Sequence, residues 1–153
     1  MNKSQLFVAG ILLFALASAL KGHQLEKKKE AEYQRAVASK TDNCRNKKIC
    51  LVVYMAPWCP ACKQVMPEVS KLLEKSKTSK DFGAKAYVGK GSNLEENEAM
   101  ARKLGAGAEV DTNHEMHQKL KVGYYPAFFV LDSEGSITLD GKDAFYWAME
   151  KAQ

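Results

Sequence analysis

"ICLVVYMAPWCPACKQVMPEV", residues 49–69, changes its pattern at a pair of cysteines. Its first seven residues are a continuous apolar run rich in β-branched side chains, the mark of a strand covered on both faces. From Pro60 onward, Val65, Met66, Val69, Leu72 and Leu73 recur at the spacing of one helix face, which predicts a helix over 60–77. Between the two lies Trp58-Cys59-Pro60-Ala61-Cys62. Two cysteines so spaced can grip a metal ion, or open and close a disulfide while passing two electrons.

The junction favours electron transfer. With Cys59 as N-cap, Pro60 takes the first helical position, where its missing N–H costs nothing and its fixed φ suits the helix. The Cys59 sulfur then faces unpaired amides and the positive end of the helix dipole, and both favour thiolate over thiol. Cys62 lies one turn further in, placed to attack a mixed disulfide formed at Cys59. Cys59 is therefore the attacking sulfur and Cys62 the resolving one. A four-thiolate zinc site would need Cys44, Cys50, Cys59 and Cys62 together, and Cys50 would have to leave its strand to join it. His114-x-x-His117 is another half-site by spacing, but two histidines a turn apart on a polar helix are usually just solvated. No metal or cofactor is expected.

Working outward, "AKAYV" (84–88) reads as a second strand and 93–104 as a helix with Asn93 as its N-cap. Residues 108–110 read as extended and 114–122 as helix. "PAFFVL" (126–131) and "SITL" (136–139) flank the turn "DSEG" as a hairpin, and 143–152 is an amphipathic helix. Alternation of β and α followed by a hairpin implies an α/β fold, a central mixed sheet with helices on both faces.

The ends of the chain differ in charge. Residues 1–40 hold seven Lys/Arg and three Glu, whereas 41–153 hold sixteen Lys/Arg and fifteen Asp/Glu. The basic excess thus sits beside an apolar leader, and no nucleic-acid partner is expected. "LFVAGILLFALASAL" (6–20), preceded by Lys3 and carrying Ala17-Ser18-Ala19, has the layout of a secretory signal. Its fifteen residues span roughly 22 Å as a helix, so residues 1–22 read as a signal peptide or as an N-terminal membrane anchor extended through its flanks. Lys21 and Lys27 to Lys29 follow the run, which by the positive-inside rule favours a cytoplasmic C-terminal side. Cysteine usage favours export instead. Residues 23–43 read as a charged helical spacer, and 44–153 as the folded domain.

These motifs resemble the thioredoxin superfamily. Trp58-Cys59-x-x-Cys62-Lys63 after an apolar strand, with Pro67 five residues on, is similar to its active-site signature, and "VGYYPAFFVLDSEGSI" (122–137) to its cis-proline segment. About twenty residues of extra helix and strand between them, with the leader, resemble the exported, often membrane-anchored TlpA/ResA-type proteins. The resemblance covers residues 44–152. It implies a thioredoxin fold with a helical insertion between the second strand and the cis-proline hairpin. It also implies a cis bond at Pro126, the Tyr125 backbone beside Cys59 where a substrate strand pairs, and an apolar rim of Trp58 with Tyr124 or Tyr125. Pro67 is structural, bending its helix. Implied partners are exported protein disulfides and a membrane electron donor, on the periplasmic or extracytoplasmic side of a bacterial-type membrane.

Two positions depart from the family. The buried acid six residues before the first cysteine of thioredoxin is here Val53, and the glutamate that TlpA/ResA-type reductases carry three residues past the second is Val65. Lys85, or Glu68 through water, remains to assist Cys62.

Four cysteines allow three pairings. In an oxidising compartment Cys44–Cys50 with Cys59–Cys62 is the economical one, the first pair serving as a structural disulfide or as an electron relay. The leading function is a thiol–disulfide oxidoreductase working through Cys-Pro-Ala-Cys. Pro60-Ala61 carries no cation or side-chain donor to hold a thiolate strongly, which favours the reductant direction. A copper-binding chaperone on the same fold is the alternative, with two soft thiolates and Met55, Met66 or Met116 as ligands.

Overall fold

The computed structural model describes Cys44 and residues 46–153. The leader and spacer expected over residues 1–43 lie outside these described residues. Among the described residues no helix is long and apolar enough to cross a membrane.

In chain order the elements are β1 (Ile49–Met55), α1 (Pro60–Thr78), β2 (Phe82–Val88), α2 (Leu94–Leu104), β3 (Ala108–Val110), α3 (Glu115–Lys119), β4 (Ala127–Asp132), β5 (Ile137–Asp140) and α4 (Gly141–Ala152). They build one five-stranded sheet in the order β3-β2-β1-β4-β5. β1 pairs parallel with β2 and antiparallel with β4, so the apolar run of the sequence is the middle strand. β3 adds parallel to β2, and β5 antiparallel to β4. This is the mixed α/β thioredoxin fold, with α2, β3 and α3 inserted between β2 and the hairpin.

Strand alternation divides the core in two. Leu51, Val53 and Met55 of β1 join Ala84, Ala86, Val88, Phe128 and Val130 on one face, which α1, α2 and α4 cover through Leu72, Leu73, Met100, Leu104, Ala144 and Ala148. Cys50, Val52 and Tyr54 point the other way, with Tyr87, Phe129 and Leu131, under Met116 and Leu120. Burying each large apolar side chain here contributes roughly 1.5–3 kcal/mol.

Local chemistry sets the boundaries. Asn93 caps α2, its Oδ1 accepting the Glu96 N–H at 2.9 Å, while Glu96 Oε2 accepts the Ser92 N–H at 2.8 Å. The β4–β5 turn is organised by Asp132 Oδ1, which accepts from the Glu134 and Ser136 N–H groups at 2.9 Å each. α3 is shorter than the 114–122 expected. His114 enters it at φ 55°, Lys121 leaves at φ 49°, and the Val122 N–H bonds back to the His117 carbonyl at 3.0 Å. α1 continues through Pro67 rather than ending there.

Candidate active site

Cys59 is the N-cap of α1, with extended backbone (φ −80°, ψ 117°) and proline next in line. Its Sγ accepts the Cys62 N–H at 3.2 Å, which satisfies one of the orphan donors of the helix start. The same sulfur donates to the Tyr125 carbonyl at 3.5 Å. The Tyr125–Pro126 peptide is cis. Residues 66 apart in sequence thus meet at one sulfur, because β1 and β4 are neighbours and both deliver their loops to the same sheet end.

Both cysteines are free thiols, Cys59 4 % exposed and Cys62 fully buried. The Cys59 sulfur is thus more enclosed than a bare helix cap. Next to Cys59 in the chain, Trp58, 55 % exposed, forms a T-shaped pair with Tyr125 at 5.3 Å. Trp58 is held from the insertion side: its Nε1–H donates to the Lys90 carbonyl at 2.7 Å, and the next residue, Gly91, gives its N–H to the buried Asn97 Oδ1 of α2 at 3.0 Å. On the opposite flank a groove of about 370 Å³ runs past Ala61, Gln64, Tyr124, Pro126 and Tyr146. Tyr124 therefore borders this groove rather than the Trp58 contact.

A second layer was not expected from the sequence. Asp111, 6 % exposed, follows β3 and accepts the Tyr54 hydroxyl at 2.9 Å and the Met116 and His117 N–H groups at 3.1 and 2.8 Å. Gly89 makes room for this, since a Cβ there would lie 2.1 Å from the Tyr54 hydroxyl. His117, expected as solvated, is half-buried: its ring meets Tyr54 edge-on at 5.4 Å, and its Nε2 pairs with the Tyr125 hydroxyl at 2.7 Å. One sequence signal pointed here. A tyrosine in a strand covered on both faces needs a partner for its hydroxyl.

Electrostatics follow from this packing. Burial, then the hydrogen bond with Cys59, pushes the Cys62 thiol up to about 12. Val53 lies in the same apolar cluster as Cys62, where the family has an acid, and Val65 packs against it. Lys85 is no substitute: it pairs with Glu109 and lies near the Tyr87 ring, on the sheet face away from Cys62. Glu68 keeps one buried oxygen, Oε2, without a hydrogen-bond partner. Burial and nearby Cys62 raise the Tyr125 phenol, and burial and then Lys90 lower His117.

Cys44 and Cys50 are disulfide-bonded, with Cα atoms 5.4 Å apart, in the cluster on the face away from Cys59 and Cys62. Five residues of strand separate Cys50 from the C-terminal end of β1, roughly 17 Å at 3.3 Å each. The two sulfur pairs are therefore not brought together. Of the methionines weighed as copper ligands, Met55 and Met116 are core residues on opposite faces, and Met66 packs against the first cluster. Among the described residues no three His, Cys, Asp or Glu side chains gather as a metal site.

Solved structures share the fold. A secreted Mycobacterium tuberculosis disulfide oxidoreductase homologous to E. coli DsbE is 16% identical, with a TM-score of 0.54 over 69% of this chain and 80% of its own. StoA from Bacillus subtilis is 18% identical (TM-score 0.51, 63% and 74% covered). A thiol-disulfide oxidoreductase from Bacteroides fragilis is also 18% identical (TM-score 0.54, 74% and 87% covered). No curated protein matches the chain. At these identities the likeness concerns the fold, but residues 46–137, more than half of the sequence, match a family described as thioredoxin-like. On that match, the chain belongs to the thioredoxin-like family.

Proposed function

We propose that this chain is a thiol–disulfide oxidoreductase that reduces disulfides of exported proteins through Cys59-Pro60-Ala61-Cys62. One observation carries the reading: Cys59 caps α1, its sulfur held between the Cys62 N–H and the Tyr125 carbonyl, while Cys62 waits one turn below, free and fully buried.

The chemistry balances on these two sulfurs. The Cys59 thiolate attacks one sulfur of a substrate disulfide and expels the other as a thiolate. Cys62 then gives up its proton to solvent or to the departing thiolate and attacks Cys59. The second substrate thiolate leaves, and a Cys59–Cys62 disulfide remains. Two electrons have passed to the substrate, and a dithiol donor at the membrane returns them. The Tyr125 backbone and the groove beside Tyr124 and Pro126 suit an extended peptide segment.

The direction follows from thiol basicity. Strong oxidants have heavily stabilised thiolates. Here Pro60 and Ala61 offer no cation or side-chain donor to hold a thiolate strongly, which supports the reductant direction. The relatives are described as secreted or as thiol–disulfide enzymes, which supports an extracytoplasmic place for this chain. The apolar leader would then deliver or anchor the domain.

The test is the reduction potential of Cys59–Cys62 in graded dithiol buffers, with alkylated cysteines counted by mass spectrometry. A value of about −270 mV supports the reductase, and about −120 mV makes the protein a disulfide donor instead.

A further inference from the structure

We propose that His117 is a positioning residue for exchange at Cys59, acting through the Tyr125 side chain on the carbonyl that faces the sulfur. The inference rests on the oxidoreductase reading and adds a residue to it.

The argument is one of connected contacts. Exchange needs three sulfurs nearly in line, so the direction in which the Cys59 sulfur points matters to the rate. Two groups set that direction in the resting thiol, the Cys62 N–H and the Tyr125 carbonyl at 3.5 Å, to which the S–H donates until it ionises. The first belongs to the helix and is fixed. The second belongs to a loop, and the Tyr125 side chain anchors it: its hydroxyl pairs with His117 Nε2 at 2.7 Å and its ring lies against Trp58 and Tyr54. His117 also lies against the Tyr125 ring, centroids 6.1 Å apart and planes 28° apart.

His117 can hold because it is itself held. Its N–H is bonded by Asp111, its ring is braced edge-on by Tyr54, and Tyr54 bonds the same Asp111 carboxylate. A strand, the loop after β3 and the short helix α3 thus converge on one imidazole. Lys90 and His114 face it as cationic or titratable neighbours, against Asp111, and burial with Lys90 keeps it neutral. A neutral imidazole with its proton on Nδ1 accepts the Tyr125 O–H at Nε2.

The test follows the second-order rate at which the reduced full chain reacts with glutathione disulfide. His117→Leu and Tyr125→Phe are each expected to slow it about tenfold, and the double variant to slow it no further, because both remove one contact. His117→Gln places an amide oxygen where Nε2 stood and is expected to recover the rate. His117→Asn is one methylene shorter and is expected to stay slow. The Gln and Asn pair decides the matter if the Leu variant does not fold.

Equal rates for wild type and these variants, additive losses in the double variant, or no recovery by Gln would overturn the role of His117 while leaving the oxidoreductase reading intact. Absence of any exchange by the wild type, with Cys59→Ser as the blank, would overturn that reading and this one with it.

Discussion

The hydroxyl of Tyr54 and the carboxylate of Asp111, 57 residues apart in the chain, meet at 2.9 Å inside the protein. The bond ties the central strand to the loop that starts α3, whose first free amides the same carboxylate accepts. Asp111 therefore does the work of an N-cap from three residues outside the cap position, while His114 at that position makes no side-chain cap bond.

Replacing Asp111 tests this directly. Asp111→Ala leaves three donors without their acceptor, and a buried donor left unmet costs about 1–3 kcal/mol. The expected loss is about 3 kcal/mol or more, read as a lower urea midpoint. Asp111→Asn keeps an acceptor oxygen and should lose about half as much.

Gly89 gives a second prediction on the same contact. A methyl group there collides with the Tyr54 hydroxyl at 2.1 Å, so Gly89→Ala must displace the ring or the strand end. Overpacking of this kind costs about 1–3 kcal/mol. Adding Tyr54→Phe, which removes the obstructing oxygen, should return part of that loss, and a double-mutant cycle measures how much.

Stability should fall in alkali because of Cys62. Its thiol is raised from 9.0 to about 12 by folding, so the unfolded chain gives up this proton first. The contribution is fully present below pH 9 and is lost as pH rises from 9 towards 12. Burial raises the Tyr54 and Tyr87 phenols as well, with the same sign in the same region. The informative quantity is thus the difference between reduced wild type and Cys62→Ala: the wild-type urea midpoint should drop more steeply between about pH 9 and about pH 11, a window of about two units within that range.

The Cys44–Cys50 disulfide closes a short loop, its cysteines six positions apart. Chain-entropy reasoning gives a loop this size about 2 kcal/mol. Replacing both cysteines by serine should lower the unfolding free energy by about that amount. The exchange rate at Cys59 should be unchanged, because the disulfide lies across the sheet from it.

What the sequence made legible was local. The Cys59 cap, the Pro60 helix start, the central strand and the Asn93 cap each depend on residues within a few positions of one another. The asparagine at 93 and the β-branched run at 49–55 needed no distant partner to be read. Asp111 gave no such sign, because "EVDTNHEM" looks like ordinary polar loop and its three donors come from a strand and a helix that only the tertiary fold brings to it. His117 was misread for the same reason. A polar face on a short helix says solvent unless Tyr54 and Tyr125 are known to lie against it. Lys85 was misplaced by parity: one residue along a strand changes the face, and the acid-base partner considered for Cys62 ends up beside Tyr87.

The segment between β2 and the hairpin does not hang off the fold at random. Through Asn97 it holds Gly91, and the carbonyl just before Gly91 holds the indole of Trp58. Sequence drift in residues 91–97 thus has a lever on the indole next to Cys59, with no change to either cysteine. Under the proposed oxidoreductase function, selectivity for substrates would evolve in one segment while the cysteine pair is kept in another, and a library of α2 variants would be the place to retune it.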